Sequence, residues 1–179
     1  MGRAAFPGSF DPPTVAHLAV ARAALAVPGV DEVCLVLSEA ALGKDGGVAP
    51  VADRLAVLEA VAAGRPGLAA ARTPARLVVE VAEAVGAGAV VLGADKWAQV
   101  LDPAWYGGST AARDAALARL PRVLLAPRAG VAVDPAPSTG PEVVVLAVEA
   151  THLDVSATRA RAGEHHLMLP EAVASGLWA

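Results

Sequence analysis

Phe6-Pro7-Gly8-Ser9-Phe10-Asp11-Pro12-Pro13-Thr14-Val15-Ala16-His17-Leu18 reads as a strand end, a turn and a helix start. Residues 4–6 form a short apolar strand, and Pro7, Gly8 and the Pro12-Pro13 pair shape the turn. From Thr14 the apolar residues Val15, Leu18, Ala19 and Leu25 recur at helical spacing, with Arg22 as a polar break. The first turn of a helix carries unpaired backbone N–H groups and a partial positive charge, and both attract an anion. Thr14 stands where an N-cap hydroxyl belongs, and His17, three residues on, shares its helix face. Hydroxyl and imidazole together predict a site for a polyphosphate.

Outward from this stretch, strand and helix patterns alternate. Helix one spans about 14–26, and a continuous apolar run at 30–37 reads as a strand buried on both faces. A loop holding Gly43, Gly46 and Gly47 leads to a second amphipathic helix, 51–63, with Leu55, Leu58 and Val61 on one side. A weak strand at 68–71, a helix at 76–85 and a clear strand at 89–92 follow, and a helix starts at Gly93-Ala94-Asp95. Residues 110–120 read as helix, 123–126 as strand, 127–141 as a Pro- and Gly-rich surface loop, and 143–148 as the last strand. Helices near Ser156 and Pro170 close the chain. Such alternation predicts the α/β class, a doubly wound parallel sheet with right-handed crossovers in a single domain, 1–179. Ligands bind such sheets at the carboxyl ends of the strands. The opening motif, Gly93-Ala94-Asp95 and the segment before Ser156 all follow strands, so one crevice should collect them.

Composition narrows the class further. A chain of 179 residues suffices for one well-filled core. Its 55% hydrophobic share is interleaved with charge, and no run approaches the roughly 18 apolar residues of a membrane span. Met1-Gly2-Arg3-Ala4 lacks the apolar segment of a signal peptide. The single cysteine, Cys34, forms no internal disulfide and sits among core hydrophobes, which suits a reducing cytoplasm. Net charge of −4 gives no basic footprint for nucleic acid, so nucleotide anions must meet local positive groups.

The second anchor is Asp154-Val155-Ser156-Ala157-Thr158-Arg159-Ala160-Arg161. Ser156 should cap a helix and present its hydroxyl and the free N–H groups to an anion. Thr158 and Arg161 share a face, and the guanidinium offers phosphate oxygens a planar fork. The two stretches together resemble the signatures of the nucleotidyltransferase superfamily, (H/T)xGH after a G(T/S)FDP turn and (I/V)S(S/A)TxxR. Thr14 and His17 fill the first, with Ala16 replacing its usual Gly, and Ser156, Thr158 and Arg161 fill the second. Gly93-Ala94-Asp95 with Gln99, and the tail Leu169-Pro170-Glu171-Ala172-Val173, look like stretches of bacterial nicotinate mononucleotide adenylyltransferases. The resemblance is weakest at 66–88, where the tyrosine- and threonine-rich helix start of those enzymes is missing.

The resemblance implies a Rossmann-like nucleotidyltransferase fold and an enzyme that joins a phosphate monoester to the α-phosphorus of ATP, releasing pyrophosphate. Nicotinate or nicotinamide mononucleotide is the expected acceptor, in NAD biosynthesis. Phosphopantetheine or a polyol phosphate as acceptor, CTP as donor, and a nucleotide-binding homologue without catalysis remain alternatives. His17, Thr14, Lys44 and Arg161 would be catalytic, while Gly8, Ser9, Phe10, Ala16, His17, Gly93, Asp95, Ser156, Thr158 and Arg161 would bind ATP. Mg²⁺ would bridge triphosphate oxygens, held mainly by substrate and water, with no protein metal site. Trp97 and Trp105 either offer a pyridine ring an aromatic face or pack in the core or a lid. Arg54 is either functional or structural, and the His165-His166 pair reads as solvated or phosphate-side rather than as a zinc site, since no third ligand has suitable spacing. No nucleic-acid or membrane partner is expected, and a homo-oligomer is possible.

Overall fold

The computed structural model describes residues 2–38, 49–131 and 140–179. Its centre is a six-stranded sheet in the order β3-β2-β1-β4-β5-β6, with every neighbouring pair parallel. The strands are β1 (Arg3–Gly8), β2 (Glu32–Ser38), β3 (Leu68–Thr73), β4 (Ala89–Gly93), β5 (Arg122–Ala126) and β6 (Val143–Val145). The helices are α1 (Val15–Leu25), α2 (Val51–Ala63), α3 (Val78–Ala84), α4 (Ala94–Leu101), α5 (Thr110–Arg119), α6 (Ala157–Arg161) and α7 (Pro170–Ser175). The predicted α/β class, with a single-domain parallel sheet, is the observed one.

The unbroken apolar runs have the cause inferred for them. Along β2, Val33, Leu35 and Leu37 join a core with α1 and α2, while Cys34 and Val36 join the opposite core under α3, α4 and α5. β1, β4 and β5 divide their residues between the same two cores. Because successive side chains on a strand point to opposite faces, a strand covered on both has no place for a polar residue. Burial pushes the Cys34 thiol above its ordinary pKa, so it packs as a small hydrophobe.

Several boundaries differ from expectation, β2 at Glu32–Ser38 and β3 at Leu68–Thr73 among them, and three have a clear cause. β1 runs from Arg3 to Gly8, carried past residue 6 by pairing with β2 as far as Leu37. α3 starts at Val78 rather than 76, because the Glu80 carboxylate accepts from the Arg76 and Leu77 N–H groups and ends the extended segment there. β6 stops at Val145, as an edge strand paired on one side only. A third apolar cluster seats the C-terminal segment: Ala160, Leu167, Met168, Ala172 and Trp178 pack with Ala49 and with Val57 of α2. Among the described residues, no helix is long and apolar enough to cross a membrane.

Candidate active site

At the carboxyl ends of the central strands lies a cleft of about 530 Å³. Three walls form it. The first holds Gly8, Ser9, Thr14, Ala16 and His17 from the β1–α1 turn, the second Gly93, Asp95, Lys96 and Gln99 from the start of α4, and the third Ser156, Thr158 and Arg161. Stretches about 140 residues apart thus converge, as the two-anchor reading required. Ser38, Arg76 and Val78 close one end, and Ala126, Arg128 and His152 the other.

Thr14 is the N-cap of α1, in extended geometry. Its backbone N–H donates to His17 Nδ1 at 2.9 Å, and its hydroxyl lies 2.8 Å from the same nitrogen. An amide N–H can only donate, so Nδ1 must carry a lone pair there. The ring proton is therefore on Nε2, which makes neutral His17 a hydrogen-bond donor through Nε2. Rings fix the imidazole from the other side, with Phe10 and Phe6 centroids 5.0 and 6.1 Å away.

Packing accounts for two residues of this turn. Phe10 does not line the cleft: it is 1% exposed, edge-on to Phe6 at 5.5 Å, and supports His17 from beneath. It holds a left-handed φ of 43°, uncommon for a bulky residue. Gly8 does line the cleft, yet its lack of a side chain is explained by Phe10, since a Cβ there would stand 2.9 Å from that ring. The Asp11–Pro12 peptide is cis.

Arg54, 7% exposed, donates from Nη1 to the Ser9 carbonyl at 2.7 Å, while its Nε is buried without a partner among the described residues. The structure gives it a clasp on the turn's backbone outside the cleft. Asp11, which sequence reasoning passed over, is buried within the turn; its Oδ1 accepts the Trp178 indole N–H at 2.5 Å. Arg161 donates to the main-chain oxygen of Asp11 and lies 3.8 Å from its Oδ2. Ser156 caps α6 as expected, accepting from the Arg159 N–H at 3.2 Å, although α6 has only five residues. Asp95 is ion-paired with Arg128 across the cleft wall, a partner the sequence reading did not assign.

For the two tryptophans the structure favours packing over a ring face for the ligand. Trp97 is 1% exposed, packed in the core between the sheet and α3, α4 and α5, because its α4 position faces inward. Trp105 is half-buried on a 3₁₀ turn, Pro103–Tyr106, and does not line the cleft. Neither offers the cleft a ring face. His165 and His166 are exposed on another 3₁₀ turn, His165–Leu167. His152, unassigned from sequence, borders the cleft with Nδ1 buried and unpartnered among the described residues. Lys44 lies outside the described residues.

A doubly wound parallel sheet whose first β–turn–α unit presents Thr14 and His17 opposite a serine-capped arginine segment is that of a nucleotidyltransferase. The chain belongs to the cytidylyltransferase-like family, whose model matches residues 5–163. Two solved structures of Plasmodium falciparum nicotinic acid mononucleotide adenylyltransferase share the fold. The one complexed with NaAD has a TM-score of 0.69 at 12% identity, covering 97% of this chain and 93% of that chain. The one complexed with APC has a TM-score of 0.65 at 11% identity, with the same coverage. No curated protein matches the sequence.

Proposed function

We propose that the protein is an adenylyltransferase joining ATP to nicotinate or nicotinamide mononucleotide, with release of pyrophosphate, as in NAD biosynthesis. The observation that carries this reading is the cleft shared by His17 and Arg161, from opposite ends of the chain. The structural neighbours, nicotinic acid mononucleotide adenylyltransferases of which one is complexed with NaAD, make the pyridine mononucleotide the first acceptor to try.

In this mechanism the acceptor's own phosphate is the nucleophile, so no covalent enzyme intermediate is required. Catalysis is alignment plus charge stabilisation. His17 donates from Nε2 to an α-phosphate oxygen as phosphorus becomes five-coordinate, and Thr14 fixes the tautomer that allows it. Ser156, Thr158 and Arg161 stabilise the departing pyrophosphate, with Lys44 assigned to the same task. Gly8, Ser9, Ala16 and Gly93 bound the space the nucleotide would fill. Asp95 contacts sugar or acceptor hydroxyls through the oxygen that Arg128 leaves available. Mg²⁺ would enter as part of the MgATP substrate and supply charge neutralisation to its phosphates. A reducing, cytoplasmic setting fits the free Cys34.

The test is pyrophosphate release from ATP or CTP with a panel of acceptors: nicotinate mononucleotide, nicotinamide mononucleotide, phosphopantetheine and a polyol phosphate. CTP belongs there because of the family to which the chain belongs. His17→Ala should lose on the order of 10²–10³ in turnover while remaining folded. Silence with every pair, despite nucleotide binding, would convert the reading into that of a binding protein without catalysis.

A further inference from the structure

Among the described residues, a buried polar arrangement ties the C-terminal segment to the β1–α1 turn. We infer that Trp178 is a positioning residue for the site: its indole N–H holds the Asp11 carboxylate, and Asp11 holds Arg161 at the cleft wall. The inference rests on the transferase reading above.

The argument starts from burial. Asp11 and Trp178 are each 5% exposed. A carboxylate withdrawn from water must be met by donors, and a buried indole N–H must find an acceptor. Here each answers the other at 2.5 Å, across 167 positions of chain. The second face of Asp11 is turned to Arg161, which donates to its carbonyl and lies 3.8 Å from Oδ2. One residue thus links the indole to the cleft guanidinium.

The linkage is built into a larger seam. The Leu169 N–H donates to the Pro13 carbonyl at 3.0 Å, and Met168 forms a β-bridge with Thr14, the residue that orients His17. Trp178 shares an apolar cluster with Ala160, adjacent to Arg161, and with Val57 of α2, which seats the C-terminal segment. An arginine side chain has many rotamers, and ordering it only when substrate arrives would weaken its hold on developing charge. With Asp11 as an anchor, the guanidinium stands at the wall beforehand. When the indole N–H is removed, the carboxylate loses one donor and turns toward Arg161, drawing it away from the nucleotide.

Trp178→Phe deletes the donor while keeping a ring in the apolar cluster. Displacing a preorganised cation costs less than deleting it, so kcat should fall roughly tenfold. In an Arg161→Ala background the same substitution should have no further effect on kcat, whereas a purely structural role would lower both backgrounds alike. Asp11→Asn is the second variant: its side-chain oxygen still accepts from Trp178, but the negative charge facing Arg161 is gone. It should show the same fall and the same dependence on Arg161. The inference is overturned by a kcat within twofold of the parent's for both variants, or by equal losses in the presence and absence of Arg161. If the parent releases no pyrophosphate from any acceptor, the transferase reading fails, and ATP affinity by equilibrium titration tests the linkage on its own. Trp178→Phe should then weaken ATP binding roughly tenfold, only where Arg161 is present, and unchanged affinity overturns it.

Discussion

Trp97 separates a structural role from a ligand-binding one, since its burial and a substrate contact predict opposite outcomes on substitution. It is 1% exposed and packs among residues such as Val79, Val100, Leu117 and Leu125. Truncating a buried Trp to Ala costs about 3–5 kcal/mol, from lost transfer energy and the cavity left behind. In a chain of 179 residues each kcal/mol moves the thermal midpoint by roughly 2–4 °C, so Trp97→Ala should melt about 6–20 °C below the parent. Trp97→Phe retains a ring in the cavity and should cost about 1–2 kcal/mol, hence roughly 2–8 °C. Differential scanning fluorimetry gives the midpoints, and steady-state kinetics well below them gives the acceptor KM. Burial predicts that the midpoint falls and that KM stays within twofold for Trp97→Phe. A raised acceptor KM with an unmoved midpoint would mean that the indole stacks on substrate, and the reasoning from burial would be wrong.

Three further outcomes follow from the geometry. Ala16→Gly, on the cleft wall near the start of α1, should lower the KM for ATP while costing up to about 1 kcal/mol of helix stability; an unchanged KM would show that the methyl group is no obstacle. Arg54→Met removes the donor to Ser9, but also a buried Nε without a partner among the described residues, so the loss should lie near the low end of about 1–3 kcal/mol in a denaturant titration. No loss would mean that the clasp contributes nothing. The Arg65 guanidinium, 2.6 Å from Glu171, holds that carboxyl below the usual carboxylate range. A carboxyl depressed in the folded state contributes stability above its unfolded pKa of about 4.3, and that contribution disappears as pH falls through the lower folded value. Glu171→Gln should therefore flatten the acid limb of stability against pH below about pH 4.3, and identical limbs would contradict the pairing.

The legible parts of the molecule are those in which cause and effect lie close together in the chain. The run around Val33 to Leu37 announces a strand covered on both faces because each residue reports its own face, and the sheet bears this out. Thr14 and His17 were readable as a pair because three residues of helix place them side by side, and the structure adds only which imidazole nitrogen carries the proton. Ser156 was readable as a cap for the same reason. Nothing local encodes the meeting of the β1–α1 turn with Arg161 across 150 positions; it was legible from topology, since both segments follow strands of one parallel sheet, and from the order of the two signatures.

What stayed hidden depends on the partner's identity rather than on the residue's type. Phe10 and Trp97 carry the same ring chemistry whether they stack on a base or fill a core, and only the direction of each side chain decides. Gly8 looks like a phosphate-approach glycine, but the atoms that exclude its Cβ belong to Phe10, two residues away on a backbone of left-handed φ that no spacing rule anticipates. Asp11 is the extreme case. In the sequence it is a turn residue before two prolines, and its meaning comes from an indole 167 positions later and a guanidinium 150 positions later. A carboxylate satisfied from so far away constrains both termini of the fold at once. Substitutions at Trp178 should therefore be read through the cleft as well as through stability, although Trp178 lies outside the cleft and belongs to neither signature.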